Sequence, residues 1–284
     1  MSTLYLVGTP IGNLEDITLR ALRILREVSV VAAEDTREAR KLLAHYEISA
    51  KVVPFHAASP PAHLARVLER LERGDVAFVS DAGMPGVSDP GAALVQAAVA
   101  AGHAVTPLPG ASAVTLAVAG AALTDSGFVF AGFLPRRSGD RRRALARLAG
   151  LGLPIVTFES PHRVRALLAD IAGELPDAQV VVAREMTKLY EQWQRGTAEE
   201  LIDAVREQGE LTLVIQPRTV ENPDALEPDL DELLRAALKD AASVRAAVAW
   251  VVAETGASRR TVYARALRLQ AHSDADGKTD MQDI

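Results

Sequence analysis

Three glycine-containing segments carry residue types that can bind a small ligand through the backbone. They are GTPIGNLED (residues 8–16), SDAGMPGVSDPG (80–91) and PGASA (109–113). Each follows an apolar run, and the second is longer than a strand-to-helix turn needs. Ligands of open α/β domains bind at the carboxyl edge of the sheet, where such loops meet. Together the segments predict a ligand cleft, although a plain turn stays an alternative for each of them.

The first segment differs from a dinucleotide-binding loop. It lacks the G-x-G-x-x-G pattern, and Pro10 removes a backbone donor from its middle. Glu34 and Asp35 end the second apolar run, where a Rossmann domain places its ribose-binding acid. From spacing alone, a nucleotide site and a simple turn both stay open.

The elements that position these segments follow an alternating pattern over the first 125 residues. Short β-branched runs predict strands, and the spacing between them predicts helices, with Thr18 and Asp89 as N-caps. This alternation is typical of βαβ units and a mainly parallel sheet. The predicted strands are 3–8, 28–33, 51–55, 75–80 and 103–108, and the predicted helices are 18–27, 36–46, 62–73 and 90–101.

A second α/β region begins near residue 125. Adjacent strand-like stretches within 179–196 predict a hairpin, so we expect a mixed second sheet. The predicted strands are 128–134, 154–159, 179–185, 191–196 and 210–216, and the predicted helices are 140–149, 162–175 and 198–208.

The C-terminal part has a different organisation. A proline-rich polar linker follows Gln216, and helices are predicted at 229–239, 244–255 and 258–269. The last two, with Ser258 as an N-cap, have the outline of a helix-turn-helix. We therefore predict an α/β protein with domains at 1–124, 125–217 and 229–270, and a disordered polar tail at 271–284.

Composition excludes several kinds of site. The 284 residues include no cysteine, which rules out disulfides, thiolate metal sites and a cysteine nucleophile. The six histidines show no ligand spacing, so we predict no metal site. The N-terminus has no leader pattern, and prolines interrupt the apolar region 104–123, so we expect a cytoplasmic protein that does not enter a membrane.

Two basic segments stand out from a net charge of −6. Residues 136–147 hold six arginines against one acid, and residues 259–268 hold four arginines and no acid. Such segments are either solvated helix faces or surfaces that bind phosphate groups of nucleic acid. Sequence alone leaves both open.

Seven motifs occur in order along the first 216 residues. They are GTPIGNLED, AEDTR (33–37), SDAGMPGVSDPG, PGASA, FESPHR (158–163), REMTKLYEQ (184–192) and GELTLVI (209–215). Together they resemble the ribosomal RNA small subunit methyltransferase I family, within the tetrapyrrole methylase-like superfamily of S-adenosylmethionine methyltransferases. The match runs over about residues 4–216, and TGASRRTVYARAL (255–267) resembles the terminal helical region of that family. Met84, Gly86 and a shortened run after Ile215 depart from the family pattern.

The resemblance implies a reaction, a cofactor and partners. It implies a homodimer that transfers a methyl group from S-adenosylmethionine to the 2′-hydroxyl of a cytidine in the decoding region of 16S rRNA. The substrate is then naked rRNA or the assembled small ribosomal subunit. The cofactor would lie in the cleft between the two α/β domains. Carried over by motif position, its contacts are Pro10, Asp81, Ala82, Gly83, Val87, Ser112, Ala113, Phe158 and Ala183.

A ribose hydroxyl is a poor nucleophile at neutral pH, so a nearby base or a cation should assist it. Motif positions offer Glu159, His162 and Arg184, but the candidates that we favour are Asp35, Arg37, Glu185 and Lys188. Each has a structural alternative. Asp35 and Arg37 can cap a helix and pair locally, and the other two can form an ion pair that closes the hairpin.

For RNA we predict phosphate contacts from both basic segments. Tyr263, beside the second, can stack on a base or lie in the helical core. Two other functions remain open, namely a small-molecule methylase of the tetrapyrrole type and a non-enzymatic ribosome-binding factor. The predicted RNA contacts are Arg136, Arg137, Arg141, Arg142, Arg143, Arg259 and Arg260.

Overall fold

The computed structural model describes residues 2–56, 61–89, 91–124, 127–218, 230–240, 243–255 and 257–276, with backbone alone at 61, 232, 239, 240 and 270–276. Residues 1–218 and 219–284 form two compact units. The first unit holds two five-stranded sheets, and the second holds helices.

The first sheet is parallel throughout, as the alternating pattern predicts. Its order is β3-β2-β4-β1-β5, which places β1 and β4 side by side at the centre. The strands β2 and β4 are buried along their whole length, consistent with helices on both faces. The strands are β1 (Thr3–Val7), β2 (Val30–Ala33), β3 (Lys51–Pro54), β4 (Val76–Val79) and β5 (Ala104–Leu108).

The helices of this layer begin mostly where the sequence predicts. Thr18 caps α1 by accepting a hydrogen bond from the backbone of Ala21. The prediction for Asp89 is wrong: α4 has Gly91 as its N-cap, and the Asp89 carboxylate is bonded to Ser80 instead. The helices are α1 (Leu19–Glu27), α2 (Thr36–His45), α3 (Pro61–Leu71), α4 (Ala92–Ala100) and α5 (Ala113–Ala121).

The second sheet is mixed, as predicted, with the order β6-β7-β10-β8-β9. The strands β6 and β7 are parallel, and the other pairs are antiparallel, including the predicted hairpin β8-β9. Its strands are β6 (Val129–Phe133), β7 (Ile155–Glu159), β8 (Gln179–Arg184), β9 (Gln192–Thr197) and β10 (Leu211–Gln216). Its helices are α6 (Ser138–Ala149), α7 (Val164–Glu174) and α8 (Ala198–Ala204), the last of which ends earlier than predicted.

The helix α5 packs against the second sheet and so joins the two layers. Val114, Ala117 and Ala121 pack in one apolar cluster with Val181 and Ala183. The small residues of this helix explain the close approach: a Cβ on Gly120 would lie 2.3 Å from the ring of Trp193. The tightly packed boundary between the two layers is therefore formed by α5 against the second sheet.

The C-terminal unit contains α9 (Leu230–Asp240), α10 (Val244–Thr255) and α11 (Arg259–Asp276). They enclose a small core that includes Leu234, Val251 and Val262. Ser258 caps α11 through the backbone of Thr261, as predicted. The helix α11 runs to Asp276, into the segment expected to be disordered, and residues 277–284 lie outside the described residues. In the described part of the chain, no helix has the length and apolar character to cross a bilayer.

Candidate active site

The three glycine-containing loops meet at the carboxyl edge of the first sheet. The backbones of Thr9 and Gly83 exchange two hydrogen bonds, of 2.9 and 3.0 Å. A Cβ placed on Gly110 would lie 2.7 Å from the Cα of Gly8, so only glycine allows the first and third loops to approach this closely. The predicted convergence of the loops is therefore present, and it is made by backbone contact.

A cavity of about 380 Å³ lies between these loops and the second sheet. Its wall is mainly apolar, with Ile11, Val114 and Met186 among its residues. This size and character are those of a small-molecule site. Six of the residues expected to contact a cofactor line it, namely Ala82, Gly83, Val87, Ser112, Ala113 and Phe158.

The other three expected cofactor residues, Pro10, Asp81 and Ala183, do not line the cavity. Ala183 is fully buried under α5. The carboxylate of Asp81 accepts a hydrogen bond of 2.8 Å from the backbone of Asp35, which ties the second loop to the end of β2. Pro10 directly precedes Ile11, which takes the lining position in the first loop.

Ser112 is free to bind a ligand through its side chain. It is the N-cap residue of α5, but its hydroxyl makes no capping hydrogen bond. The geometry therefore gives no support to a role of Ser112 as a helix cap alone. A helix N-terminus beside a cavity also offers backbone N–H groups to an anionic or polar ligand group.

Three carboxylates lie near one end of the cavity. Burial raises the pKa of Glu34, and the charges of Asp81 and Asp89 raise it further. Burial also raises the pKa of Asp89, although a hydrogen bond from Ser80 opposes this shift. Asp89 lines the cavity itself. This end of the cavity therefore favours a ligand that brings positive charge or hydrogen-bond donors.

Asp35 and Arg37 form a local pair at the surface. Their side chains approach to 2.6 Å, and Asp35 also caps α2 through the backbone of Arg37. Hydrogen bonds from Arg37 lower the pKa of Asp35 to about 2, which makes the carboxylate a weak base. Neither residue lines the cavity. The geometry favours the structural alternative for this pair.

Glu185 and Lys188 lie in a group of three charges that also includes Glu210. One carboxylate oxygen of Glu185 accepts from Nζ of Lys188 at 3.0 Å and from the backbone of Glu210 at 2.8 Å. The same Nζ is 3.2 Å from a carboxylate oxygen of Glu210. Glu210 lines the cavity and directly precedes β10, a placement that the sequence analysis missed although the residue belongs to the GELTLVI motif.

Two backbone features hold this charged group in place. Glu185 and Thr187 both have positive φ, at 52° and 68°, a conformation that non-glycine residues rarely adopt. A Cβ on Gly12 would lie 2.4 Å from Cγ of Lys188, so the lysine stem packs directly on the first loop. The charged group of the second sheet is thus in contact with the glycine-containing loops of the first.

The pKa shifts of Glu185 and Lys188 reflect the hydrogen bonds within this group. The backbone hydrogen bond from Glu210 is the main cause that lowers the pKa of Glu185, and Lys188 lowers it further. Burial would lower the pKa of Lys188, but hydrogen bonds to Glu185 and Glu210 raise it overall. The side-chain nitrogen of Lys188 therefore lies between the carboxyl groups of Glu185 and Glu210.

The remaining motif candidates have other surroundings. Arg184 is buried and donates to Gln192 and to the backbone of Tyr190, which is a structural role. His162 is exposed. Glu159 is buried and lines the cavity. Among the described residues, no cluster of three side chains has the arrangement of a metal site.

The first basic segment divides into paired and exposed arginines. The prediction that Arg141 contacts RNA is wrong, because its side chain is buried and its Nε donates to Asp170 at 2.6 Å. Arg142 pairs with Glu174, and Arg143 pairs with Asp140. Within the two basic segments, five arginines are exposed and form no ion pair in the described chain, namely Arg136, Arg137, Arg147, Arg259 and Arg260.

Two family models match the chain. That of the Tetrapyrrole (Corrin/Porphyrin) Methylases matches residues 3–202. One described as the RsmI C-terminal HTH domain matches residues 224–270, which include the three helices of the C-terminal unit up to residue 270.

Solved structures support the same fold. A diphthine synthase superimposes with a TM-score of 0.64 at 18% identity, over 77% of this chain and 91% of that chain. The uroporphyrin-III C-methyl transferase from Thermus thermophilus complexed with S-adenyl homocysteine gives a TM-score of 0.53 at 22% identity, over 75% and 97%. At these identities the likeness is one of fold.

Curated relatives give a more specific result, since three of them are each called ribosomal RNA small subunit methyltransferase I. That of Halalkalibacterium halodurans is 43% identical over 80% of this chain and 78% of its own length. The protein of Neisseria meningitidis serogroup B is 40% identical over 93% of both, and that of Synechocystis sp. is 39% identical over 95% and 99%. The chain therefore belongs to the tetrapyrrole methylases and, among them, to the ribosomal RNA small subunit methyltransferase I family.

Proposed function

We propose that this protein transfers a methyl group from S-adenosylmethionine to the 2′-hydroxyl of a cytidine in the decoding region of 16S rRNA. Methyltransferases of the family use S-adenosylmethionine, and the relatives make this chain an rRNA methyltransferase. The nucleotide and its place in the rRNA are carried over from the motif resemblance. The observation that carries the proposal is the charged group of Glu185, Lys188 and Glu210 at the edge of the apolar cavity.

The residues of the cavity fit this cofactor. Ala82, Gly83 and Ala113 are small and leave room for a nucleoside. Phe158 offers an aromatic ring, which attracts a cation such as a sulfonium. The Ser112 hydroxyl and the Asp89 carboxylate offer polar partners for the ribose and amino acid groups. When bound, S-adenosylmethionine supplies an electrophilic methyl group.

The chain's own residues would assist the nucleophile. As the 2′-oxygen takes the methyl group, its proton would pass to solvent water, and the ammonium of Lys188 would stabilise the negative charge that develops on the oxygen. Glu185 would orient Lys188 rather than act as the base, because its lowered pKa makes it a weak proton acceptor. Loops that meet through backbone contacts would hold the reacting groups in line.

Binding of the RNA would use exposed cations in both units. We propose that Arg136 and Arg137 in the first unit, and Arg259 and Arg260 in the second, contact phosphates. Arg142 and Arg143 would contribute less, since each already pairs with an acid. The active form would be a homodimer in the cytoplasm, where ribosomal subunits are assembled.

The test is methyl transfer from labelled cofactor to isolated small subunits, to naked 16S rRNA and to a tetrapyrrole. Digestion of the rRNA to nucleosides and mass spectrometry should show 2′-O-methylcytidine. Methylation of a base, or of another nucleoside, would contradict the proposed chemistry. Transfer to the tetrapyrrole alone would support the small-molecule methylase, and cofactor binding without transfer would support a non-enzymatic factor.

A further inference from the structure

Glu159, a buried residue that lines the cavity, has a carboxylate oxygen without a hydrogen-bond donor among the described residues. It is the last residue of β7, it is only 3% exposed, and it is one of the residues that line the cavity. Its Oε1 accepts a hydrogen bond of 2.7 Å from the backbone of Ser160. Its Oε2 has no hydrogen-bond donor in the described structure. A buried charged acceptor without a donor is unfavourable, so it calls for an explanation.

The nearby arginine does not satisfy this oxygen. Nη2 of Arg163 is 3.2 Å from Oε2, but it donates its hydrogen bonds to the carbonyls of Leu134 and Pro135, at 2.9 and 3.3 Å. Arg163 therefore places a positive charge beside Oε2 and helps to hold the carboxylate in position. The capacity of Oε2 to accept a hydrogen bond is left for another group.

Phe133 is an exposed aromatic residue in the wall of the same cavity. Its side chain is 58% exposed at the end of β6, directly after Gly132, which has a φ of 61° at an irregularity in the strand pairing. Its ring meets Phe158 edge-to-face at 5.7 Å, and Phe158 meets Phe130 at 5.0 Å. The exposed ring is thus supported from behind and leaves its surface open.

We propose that Phe133 and Glu159 form the subsite for the base of the target nucleotide. Phe133 stacks on the base, and Oε2 of Glu159 accepts a hydrogen bond from the exocyclic amine of cytosine. This inference rests on the proposed function. Enzymes that modify nucleotides commonly read an unstacked base by stacking and by hydrogen bonds to its Watson–Crick edge.

The chemistry of the pair selects cytosine over uracil. Cytosine presents an N–H donor at position 4, which a carboxylate accepts. Uracil presents a carbonyl oxygen there, which would face the negative charge of Glu159 with no donor between them. Since Oε2 is covered in the free protein, recognition also includes a small side-chain movement on binding, which is common at interfaces.

The decisive experiment compares a target cytidine with a target uridine in reconstituted small subunits. Glu159→Gln, which adds an N–H donor, is expected to reduce the cytidine-to-uridine ratio of kcat/KM by about tenfold or more, within the range of one good base contact. Phe133→Ala should raise KM about tenfold for both substrates and leave the ratio unchanged. Glu199→Gln and Phe128→Ala are matched controls, because both residues are exposed and neither lines the cavity.

The ammonium group of the cofactor is a second donor to which Oε2 of Glu159 can bind instead of the cytosine amine. Calorimetry with S-adenosylmethionine distinguishes these two partners. An unchanged ratio in Glu159→Gln would overturn the inference, and a weakened cofactor affinity would then assign Oε2 to the cofactor. Should Glu159→Gln fail to fold, wild-type enzyme can be assayed on a target that lacks the exocyclic amine, for which kcat/KM should fall about tenfold or more. If the wild-type enzyme methylates no cytidine in any subunit, the proposed function itself fails.

Discussion

The two walls of the cavity differ in what they are made of. The first sheet contributes loops in which backbone meets backbone, at the Thr9–Gly83 bridge and at the close approach of Gly8 and Gly110. The second sheet contributes the charged side chains of Glu159 and Glu210, which line the cavity, and Lys188 pairs with Glu210. The first wall mainly provides shape, with Asp89 and Ser112 as polar lining residues, and the second wall provides most of the charged groups near Lys188.

This difference indicates how the work of the site is divided. Glycine and alanine loops suit a cofactor that must be held closely but that undergoes no proton transfer with the protein. Charged groups suit the nucleophile, where charge develops during the reaction. Substitutions in the first wall should therefore change cofactor binding, and substitutions in the second should change turnover.

The largest effect is expected in the second wall. Lys188→Met should reduce single-turnover methylation of small subunits by about two to four powers of ten, with cofactor and RNA saturating. Glu185→Gln should lower the rate less, because it disturbs the position of Lys188 without removing its charge. Lys41→Met on α2 is the control, since that lysine is exposed and pairs only with Glu38. Near-normal rates in both variants would make the group a structural one.

A substitution in the first wall is expected to weaken cofactor binding and to leave the rate of methyl transfer at saturating cofactor unchanged. Gly83 has a φ of 74° and lines the cavity, so Gly83→Val introduces both strain of about 1–3 kcal/mol and bulk where the cofactor would bind. Its affinity for S-adenosylmethionine should fall at least tenfold by calorimetry. Gly102→Val is a close match, because Gly102 has a φ of 81° and a Cβ there would meet no atom within 4 Å. Equal reductions of affinity in both variants would show that strain alone is responsible.

A smaller effect is expected from the exposed arginines, which belong to neither wall. Replacing Arg136 and Arg137 with serine should weaken RNA binding and reduce its salt slope by about one for each phosphate that is no longer bound. Replacing Arg142 and Arg143, which pair with acids, should change the slope less. Cofactor affinity should not change in either variant. If the salt slope of RNA binding is the same for wild type and for the variant without Arg136 and Arg137, these two arginines belong to a solvated surface that does not bind RNA.

The smallest effect is expected at Asp35, the N-cap residue of α2 in the first sheet's layer. Because Arg37 lowers its pKa from 3.8 to about 2, Asp35 stabilises the fold above the unfolded pKa and loses this contribution as the pH falls through about 2. Asp35→Asn should lower Tm slightly at pH 7, and the difference should shrink between about pH 4 and 2. Turnover at neutral pH should stay within about twofold of wild type, in contrast to Lys188→Met. A hundredfold loss would return Asp35 to the catalytic group.

The sequence predicts the fold well because its signals are local. Alternating apolar runs and helical spacing identify both sheets, and the motif at residues 179–196 identifies the hairpin. The N-cap of α4 is less predictable: Asp89 has the residue type of an N-cap, but its carboxylate bonds to Ser80, close to β4. A preference of a residue type does not reveal a competing partner elsewhere in the fold.

Side-chain partners in other elements also explain why the sequence did not predict the burial of Arg141 or the contact between Glu210 and Lys188. Arg141 belongs to a run of arginines, but Asp170 on α7 binds it and buries it against that helix. Glu210 has no special spacing to Lys188, and the two meet only because β10 pairs with β8. The sequence of one segment cannot show such contacts.

The order of the second sheet has a consequence for synthesis. The last strand to leave the ribosome, β10, lies in the middle of this sheet, between β7 and β8. Until residues 211–216 emerge, two apolar strand edges lack their partner, and unpaired edges of this kind favour aggregation. Glu210 also emerges with this strand, so the nascent chain gains its complete charged group in the same step that closes the sheet. A protein truncated before β10 should therefore lose solubility and activity together.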